Sequence, residues 1–545
     1  MNTQPAHPKI DPIFERYTTP GSPGAVVGVM KDGAIVYRQG YGLANLENQV
    51  PMTPSTVFNI GSISKQFTAF AIALLEADGK LCLDDDMRQY LPEMHNFGAT
   101  ITIRHLIHHT SGMRDTFPEL LALAEWRNGD ITLMQDAFWL LCNQCELNFP
   151  PGEEFSYSNA NYILLARICE QVSGQPFATF CQQRIFEPLG MSNTLVLDSV
   201  DKIVPQRAGR YYEDGQGGWI HAILSDAVIG PTNVHTNLAD LAKWDENFYT
   251  GQVGGPAVMQ RMLQPGLLNN GSSTEYAFGL EAGPSHQHRG WQVVQHGGEH
   301  GGHCSFMLRL PECHLSVVVL INVFLWDVRS YALKVADVIL DEMGLSPQAD
   351  TPAGPPETIS PVELSAAQLS NKAGIYFNTR RAALRQVTCE NGKLLYQGMP
   401  LAPLSERRFY FTDVPDVRIE FTAEQDAPAS GLSLTTGGRV YDYQRMEVIP
   451  LNAEELPQYA GRYYSPELDS TWVLAMQEDH LVINCRKHVE GKLSPVSRDF
   501  FHADWQPAMS YPHRFLLVFE RDPDGTITAL RLTGDTVRRM KFERR

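Results

Sequence analysis

Short apolar runs open the chain. Ala25 to Met30 and Ala34 to Arg38 flank Lys31-Asp32-Gly33, and two apolar runs around a glycine-containing turn predict a β-hairpin. Beyond Gln66 the spacing changes. Phe67, Phe70, Ala71 and Leu74 recur at helical intervals, which predicts a helix with one buried face. Tyr162, Leu165, Ala166 and Cys169 repeat that interval, and Gly174 is placed to stop the helix. Trp291 to Gln295, Ser305 to Leu310 and Leu315 to Val323 then read as three successive strands. A hairpin, a long helical middle and a return to strands predict a mixed α/β domain. Its antiparallel sheet is assembled from both ends of the segment, with helices on both sides and a helical insertion.

The pattern breaks near Ala349. Asp350-Thr-Pro-Ala-Gly-Pro-Pro-Glu357 carries too much proline and glycine to continue a helix or a central strand, so residues 349–361 are expected to form a linker. The sequence beyond it is duplicated. Ala373-Gly374-Ile375-Tyr376-Phe377 recurs as Ala460-Gly461-Arg462-Tyr463-Tyr464. Each copy follows a short helix-like lead, Ala366 to Leu369 and Ala453 to Leu456, and each ends on a strand carrying Arg-Met, at Arg445-Met446 and Arg539-Met540. Short alternating strands with Gly and Asp turns predict two similar antiparallel β-barrels. The expected domains are therefore 1–348, 362–450 and 451–545.

Composition narrows the class. A chain of 545 residues, 43% hydrophobic, has material for several cores, and two to four domains are expected. The formal net charge of -18 argues against nucleic acid and anionic membrane as partners. The N-terminus lacks a basic segment followed by an apolar one, so no secretory signal is expected. The longest apolar run, Leu315 to Leu325, is too short to span a bilayer and reads as a buried strand. Nine cysteines form no regular framework. Cys142-x-x-Cys145 lies among apolar residues and is read as ordinary helix cysteines rather than a redox or zinc pair. Free thiols suggest a cytoplasmic protein, and a homodimer is a further expectation.

Three local elements carry candidate chemistry. In Ser62-Ile-Ser-Lys65 the serine follows Gly61 and opens the helix, so positions i and i+3 share a face and Lys65 reaches Ser62. The helix N-terminus adds free N–H groups that favour an oxyanion. On the residues alone, a cap beside a surface lysine is the favoured reading of Ser62. A second S-x-x-K, Ser199-Val-Asp-Lys202, sits among acids without a helix. Tyr157-Ser-Asn159 ends a loop at a helix start, although Tyr376-Phe-Asn378 repeats the pattern in the C-terminal third. His296-Gly-Gly298 is expected at the end of an apolar strand, where missing side chains let a substrate backbone approach. His288 is expected in the turn before that strand and His300 in the turn after it. His296, His300 and His303 are too loosely spaced for a zinc site.

The order S-x-x-K, Y-x-N, H-x-G resembles the serine penicillin-recognising family, which includes the class C β-lactamases. Gly61-Ser-Ile-Ser-Lys-Gln-Phe-Thr68, His109-Thr-Ser-Gly112, Phe155-Ser-Tyr-Ser-Asn159, Pro188-Leu-Gly-Met191 and Tyr276-Ala-Phe-Gly-Leu280 add to the resemblance, which covers residues 10 to 345. It implies that Ser62 attacks a carbonyl and forms an acyl-enzyme that water hydrolyses. Lys65 would keep the tyrosine or serine partly deprotonated, and Tyr157 would act as general base and return the proton to the leaving group. Backbone N–H groups of Ser62 and Glu299, next to Gly298, would form the oxyanion hole. Asn159 would hold the substrate amide. No metal or organic cofactor is implied, and His105 and His109 read as structural.

His296 stands where many members carry the lysine of K-T-G. Histidine is mostly neutral near pH 7, so a substrate carboxylate is less clearly demanded, which weighs against a strong β-lactamase or carboxypeptidase. The three-domain arrangement is similar to that of bacterial D-aminopeptidases, in which a loop of the last barrel brings an acid to the substrate amine. The comparable stretch here, Ala503 to His513, has no acid near Ala508, and its nearest acid is Asp504. The resemblance implies a small peptide, amide or ester substrate, with release of N-terminal D-amino acids as the leading reading. A carboxylesterase, a DD-peptidase and an inactive muropeptide sensor are the alternatives.

Overall fold

The early hairpin and the late strands meet in one sheet. The computed structural model describes residues 7–545 apart from 128, 346–361, 412–413, 424–426, 437–438, 486–489 and 506–512. Strands β1 (Ala25–Lys31), β2 (Ala34–Tyr41), β3 (Glu281–His288), β4 (Trp291–His300), β5 (His303–Leu310) and β6 (Leu315–Ile321) form a six-stranded sheet in the order β3-β4-β5-β6-β1-β2. The two ends of the segment join where β1 pairs antiparallel with β6, from Ala25 opposite Ile321 to Lys31 opposite Leu315. Strand β6 is buried along its whole length, as expected of a central strand covered on both faces.

Four helices position the sheet and the site: α1 (Ser64–Ala77), α2 (Asn159–Ser173), α3 (Leu238–Thr250) and α4 (Val328–Glu342). Alternate residues of the strands choose the face. Val27, Val29, Val317 and Val319 pack with Ala332, Val335, Ala336 and Leu340 of α4. On the other face Gly28 admits α3 directly, since a Cβ there would stand 2.1 Å from Leu238 Cδ1. Asp245 of α3 ties this layer down, accepting from Arg309 Nε at 2.8 Å and Ser316 Oγ at 2.9 Å. Helix α1 departs from its predicted single buried face: every residue from Ser64 to Leu75 is buried. It runs through the interior, so its few polar side chains need internal partners. Gly174 does end α2, in the left-handed conformation with φ 71°. Cys142 closes the helix Met134–Cys142, but Cys145 lies beyond it and is exposed.

The chain divides into two compact units, Met1–Ala122 with Trp126–Thr351, and Pro352–Arg545 with Leu123–Glu125. The second unit holds two closed antiparallel barrels of eight strands each. One runs from Gly374–Asn378 to Arg439–Met446 and the other from Gly461–Ser465 to Met540–Arg544. The expected linker, 349–361, lies outside the described residues.

The repeated Ala-Gly-x-Tyr has a common physical cause. In the first barrel the Tyr376 hydroxyl donates to Lys372 O at 2.7 Å, and Arg445 Nη2 donates to Ala373 O at 2.7 Å. In the second, Tyr463 donates to Tyr459 O at 2.9 Å, and Arg544 Nη2 donates to Ala460 O at 2.7 Å. The glycine is small because the guanidinium passes over it. A Cβ on Gly374 would lie 3.0 Å from Arg445 Cζ, and one on Gly461 would lie 3.1 Å from Arg544 Nε. The structural counterpart of Arg445 is thus Arg544, not the Arg539 of the sequence repeat, and the last strand begins at Met540, just after Arg539, rather than ending there. Arg445→Met and Arg544→Met should each destabilise their barrel by about 2 kcal/mol, by leaving carbonyl groups without donors. Urea unfolding followed by tryptophan fluorescence checks this, with Arg539→Met as the milder comparison.

Candidate active site

Ser62 lies in a short 3-10 turn, Gly61–Ile63, that feeds α1. Lys65 follows one turn later on the same face. Its Nζ donates to Ser62 Oγ at 3.0 Å, to Asn159 Oδ1 at 2.8 Å and to Pro231 O at 3.1 Å. An ammonium has three donors, and all three go to neutral oxygens. Burial pulls the Lys65 ammonium down to about 7, against the opposing charge of Asp115. The lysine therefore changes protonation near neutral pH, with its nitrogen on the serine hydroxyl.

Tyr157 completes the cluster. The Lys65 nitrogen stands 4.7 Å from the centroid of its ring. Burial pushes the phenol well above its ordinary range, and the Ser62 hydroxyl works against that rise. The serine does not reach hydrogen-bonding geometry, and the buried phenol oxygen has no partner among the described residues. His109 backs the ring at 4.4 Å between centroids. Its Nδ1 receives the Ser158 N–H and the Asn161 amide, each at 3.1 Å, so the ring is a neutral acceptor on that side. This is a packing and positioning role.

His296 is set differently from the expectation. Strand β4 runs on to His300, so His296 is inside the strand and His300 is its last residue rather than part of a turn; His288 likewise closes β3. On its outer side β4 pairs with β3 only from Trp291 to Gln295. From His296 onward that edge faces the turn that carries Ser62. His296 Nδ1 lies 2.5 Å from Gly297 O, and Nε2 lies 3.0 Å from the Tyr276 hydroxyl. A carbonyl only accepts, so Nδ1 carries the proton and Nε2 accepts from Tyr276. Burial lowers the imidazole pKa further, and the ring at this position is neutral.

Glycines bring the turn and the strand together. A Cβ on Gly61 would lie 2.5 Å from Glu299 N, and one on Gly298 would lie 2.1 Å from Ile60 O. Both atoms are backbone and cannot swing aside. Gly61 also has φ 51°. The Glu299 N–H thus lies beside the Ser62 turn, while its side chain stands exposed.

The β-lactamase family profile matches residues 10–339. The chain belongs to the β-lactamase family. A domain family of unknown function matches residues 445–544. Penicillin-binding protein 4* of Bacillus subtilis (strain 168) is 30% identical over 421 residues, which cover 73% of this chain and 90% of that protein. A D-aminopeptidase of Gluconobacter oxydans (strain 621H) is 27% identical over 534 residues, 96% of each chain. In fold, the octameric penicillin-binding protein homologue from Pyrococcus abyssi superposes with a TM-score of 0.54 at 19% identity and covers 98% of both chains.

This β-lactamase-family site brings Ser62, Lys65, Tyr157, Asn159, His296, Gly298 and Glu299 together. Asp504 is exposed on the strand Phe500–Trp505 of the second barrel, in register with Lys492 and Arg514, and residues 506–512 of the loop beside it lie outside the described residues. Asn159 does not present a free amide: Oδ1 accepts from Lys65, and Nδ2 donates to Asp115 Oδ2 at 3.1 Å. Asp115 and Tyr276 are the residues that sequence reasoning missed. Tyr276 carries no signal of its own beyond the Tyr276-Ala-Phe-Gly-Leu280 stretch, and Asp115 meets a partner 44 residues away. Gly61→Ala and Gly298→Ala should each lower kcat/KM about 100-fold by displacing the reacting groups. Gly297→Ala should be far milder, because its Cβ would meet only the Phe306 ring edge at 3.3 Å. Steady-state rates on an activated ester, with circular dichroism to confirm folding, check the contrast.

Proposed function

We propose that this β-lactamase-family serine hydrolase is an amidase or aminopeptidase that releases N-terminal D-amino acids from small peptides and amides. The observation that carries the chemistry is the Lys65 nitrogen, titrating near neutrality at 3.0 Å from Ser62 Oγ, beside a buried phenol oxygen of Tyr157 that has no partner among the described residues. Substrate class is supported by the relatives named D-aminopeptidase, which match this chain over 96% of its length. The neutral His296 is in keeping with an amide, which needs no fixed positive charge, rather than a carboxylate.

The steps follow from the charges. Ser62 Oγ attacks the acyl carbonyl while its proton passes to neutral Lys65. The carbonyl oxygen takes up negative charge against the Ser62 and Glu299 N–H groups. The intermediate collapses, the C–N bond breaks, and the leaving amine takes a proton from the Tyr157 phenol, which Lys65 replenishes. Water then repeats the sequence on the acyl-enzyme. Tyr157 serves here as a neutral phenol that passes a proton on, since burial disfavours a standing phenolate. The free cysteines accord with a reducing, cytoplasmic setting.

A panel of D- and L-aminoacyl p-nitroanilides, short esters and nitrocefin tests the reading; the D-aminoacyl amides should be turned over best. Esters without D-amides would replace it with a carboxylesterase. Ser62→Ala should abolish turnover, whereas Ser199→Ala should change nothing. The sign of the pH dependence follows from Lys65: the base is the neutral form, so acylation should fall about tenfold per pH unit below about 7. Tyr157→Phe should cost amide hydrolysis about 100-fold or more but spare acylation by a p-nitrophenyl ester, whose leaving group needs no proton. Equal losses on both substrates would remove the phenol from the leaving-group step.

A further inference from the structure

Asp115 follows the His109-Thr-Ser-Gly112 stretch and is 3% exposed. Its two oxygens do different work. Oδ1 accepts from the backbone N–H of Asn159 at 2.5 Å and of Ala160 at 3.4 Å, which caps the start of α2 from a distant part of the chain. Oδ2 accepts from the Asn159 side-chain amide at 3.1 Å. A carboxylate has no proton to give. The Asn159 NH2 must therefore face Asp115, and its oxygen must face the Lys65 ammonium 2.8 Å away. The flipped amide would set NH2 against the ammonium and oxygen against the carboxylate, two repulsive contacts in a buried site. Asp115 thus fixes which end of Asn159 is offered to Lys65.

The groups that face Lys65 are the phenols of Tyr157 and Tyr162, the imidazoles of His109 and His296, the Ser62 hydroxyl and Asp115. Glu281 acts on His296 and Tyr157 from the β3 side. Burial keeps both phenols and both imidazoles neutral. Among these groups Asp115 supplies the charge that acts on the ammonium.

We propose that Asp115 is a positioning residue for proton transfer at Ser62: through Asn159 it fixes the place of the Lys65 nitrogen, and through its charge it sets the pH at which that nitrogen works. The inference rests on the hydrolase function proposed above and adds a residue to it. A purely structural cap would hold α2 without moving the pH dependence of the reaction.

The test is the pH dependence of Ser62 labelling by a fluorophosphonate in the full chain, with thermal unfolding recorded for each variant. Asp115→Asn keeps the size and an accepting oxygen but removes the charge, so the midpoint should move down by about one pH unit. The double variant Asp115→Asn/Asn159→Asp puts the carboxylate directly on the ammonium, and its midpoint should move up by at least about one unit from wild type. Opposite displacements in the two variants establish the role. A midpoint unchanged in Asp115→Asn overturns it, as does a double variant whose midpoint is not raised. If Asp115→Asn does not fold, the double variant alone decides by the same upward shift. Failure of both to fold would assign Asp115 to the fold and also overturn the proposal. Absence of labelling in the wild type at every pH would instead strike at the hydrolase function itself.

Discussion

At Gly61 the backbone that carries Ser62 rests against the backbone of β4. No side chain intervenes on either side, since a Cβ at Gly61 or Gly298 would collide with main-chain atoms. This contact sets the distance between the head of α1 and the strand edge, and every other site group takes its place relative to it. It is secured from behind by a buried polar chain. Asn59 Oδ1 accepts from Gly61 N at 2.9 Å, Asn59 Nδ2 donates to Asn233 Oδ1 at 2.8 Å, and Asn233 Nδ2 donates to Asp226 Oδ1 at 2.6 Å. Asp226 Oδ2 meets His300 Nε2 at 2.8 Å at the end of β4. Ser305 of β5 donates to Ile60 O at 2.8 Å. Turn and strand are thus connected both by direct contact and through this satisfied network, which favours one geometry over many near alternatives.

The same network explains the histidines that sequence spacing left as a loose group. Burial works to raise the Asp226 carboxyl, yet His300 and the Asn233 amide hold it below its usual range. His303 Nδ1 accepts the Asn59 N–H at 3.1 Å, and its Nε2 donates to Gly209 O at 3.1 Å. His300 and His303 are committed to carboxylate and backbone, and His296 to Tyr276 and Gly297. Each ring has a partner that fixes its orientation, and the three do not converge on one point.

Much of this was legible along the chain because it rests on short-range pattern. The hairpin, the strands around residues 305 to 321 and the helix stop at Gly174 follow from period and punctuation alone. Ser62 and Lys65 were legible because one helical turn separates them. The ends of β3 and β4 were not, since His288, Gly297 and Gly298 look like turn residues, and only tertiary pairing with β5 carries β4 on to His300. The all-round burial of α1 was hidden for a similar reason: a periodic helix announces one buried face, and a second cover comes from elements far away in sequence. Asp115 gave no signal, because its meaning lies in a helix start 44 residues later. The barrels gave their repeat but misplaced its arginine. Arg-Met is a chance pair at residues 539–540, whereas the guanidinium that reaches the Gly461 turn is Arg544.

The charge of the site follows from the depth of that geometry. Lys65 is completely buried and meets its hydrogen-bonding needs with a hydroxyl, an amide oxygen and a carbonyl. A carboxylate in direct contact would hold the proton on the lysine far above neutral pH. Neutral partners alone would let burial strip the proton well below it. Placing Asp115 one amide away gives an intermediate result, with the ammonium titrating near 7. Tyr157 experiences the same burial with the opposite consequence, because its charged form is the deprotonated one. A single cause, removal from water, therefore makes the lysine ready to accept a proton and the phenol ready to keep one. That division of labour needs no further charged group at the strand edge, which is consistent with His296 standing there as a neutral ring bonded to Tyr276.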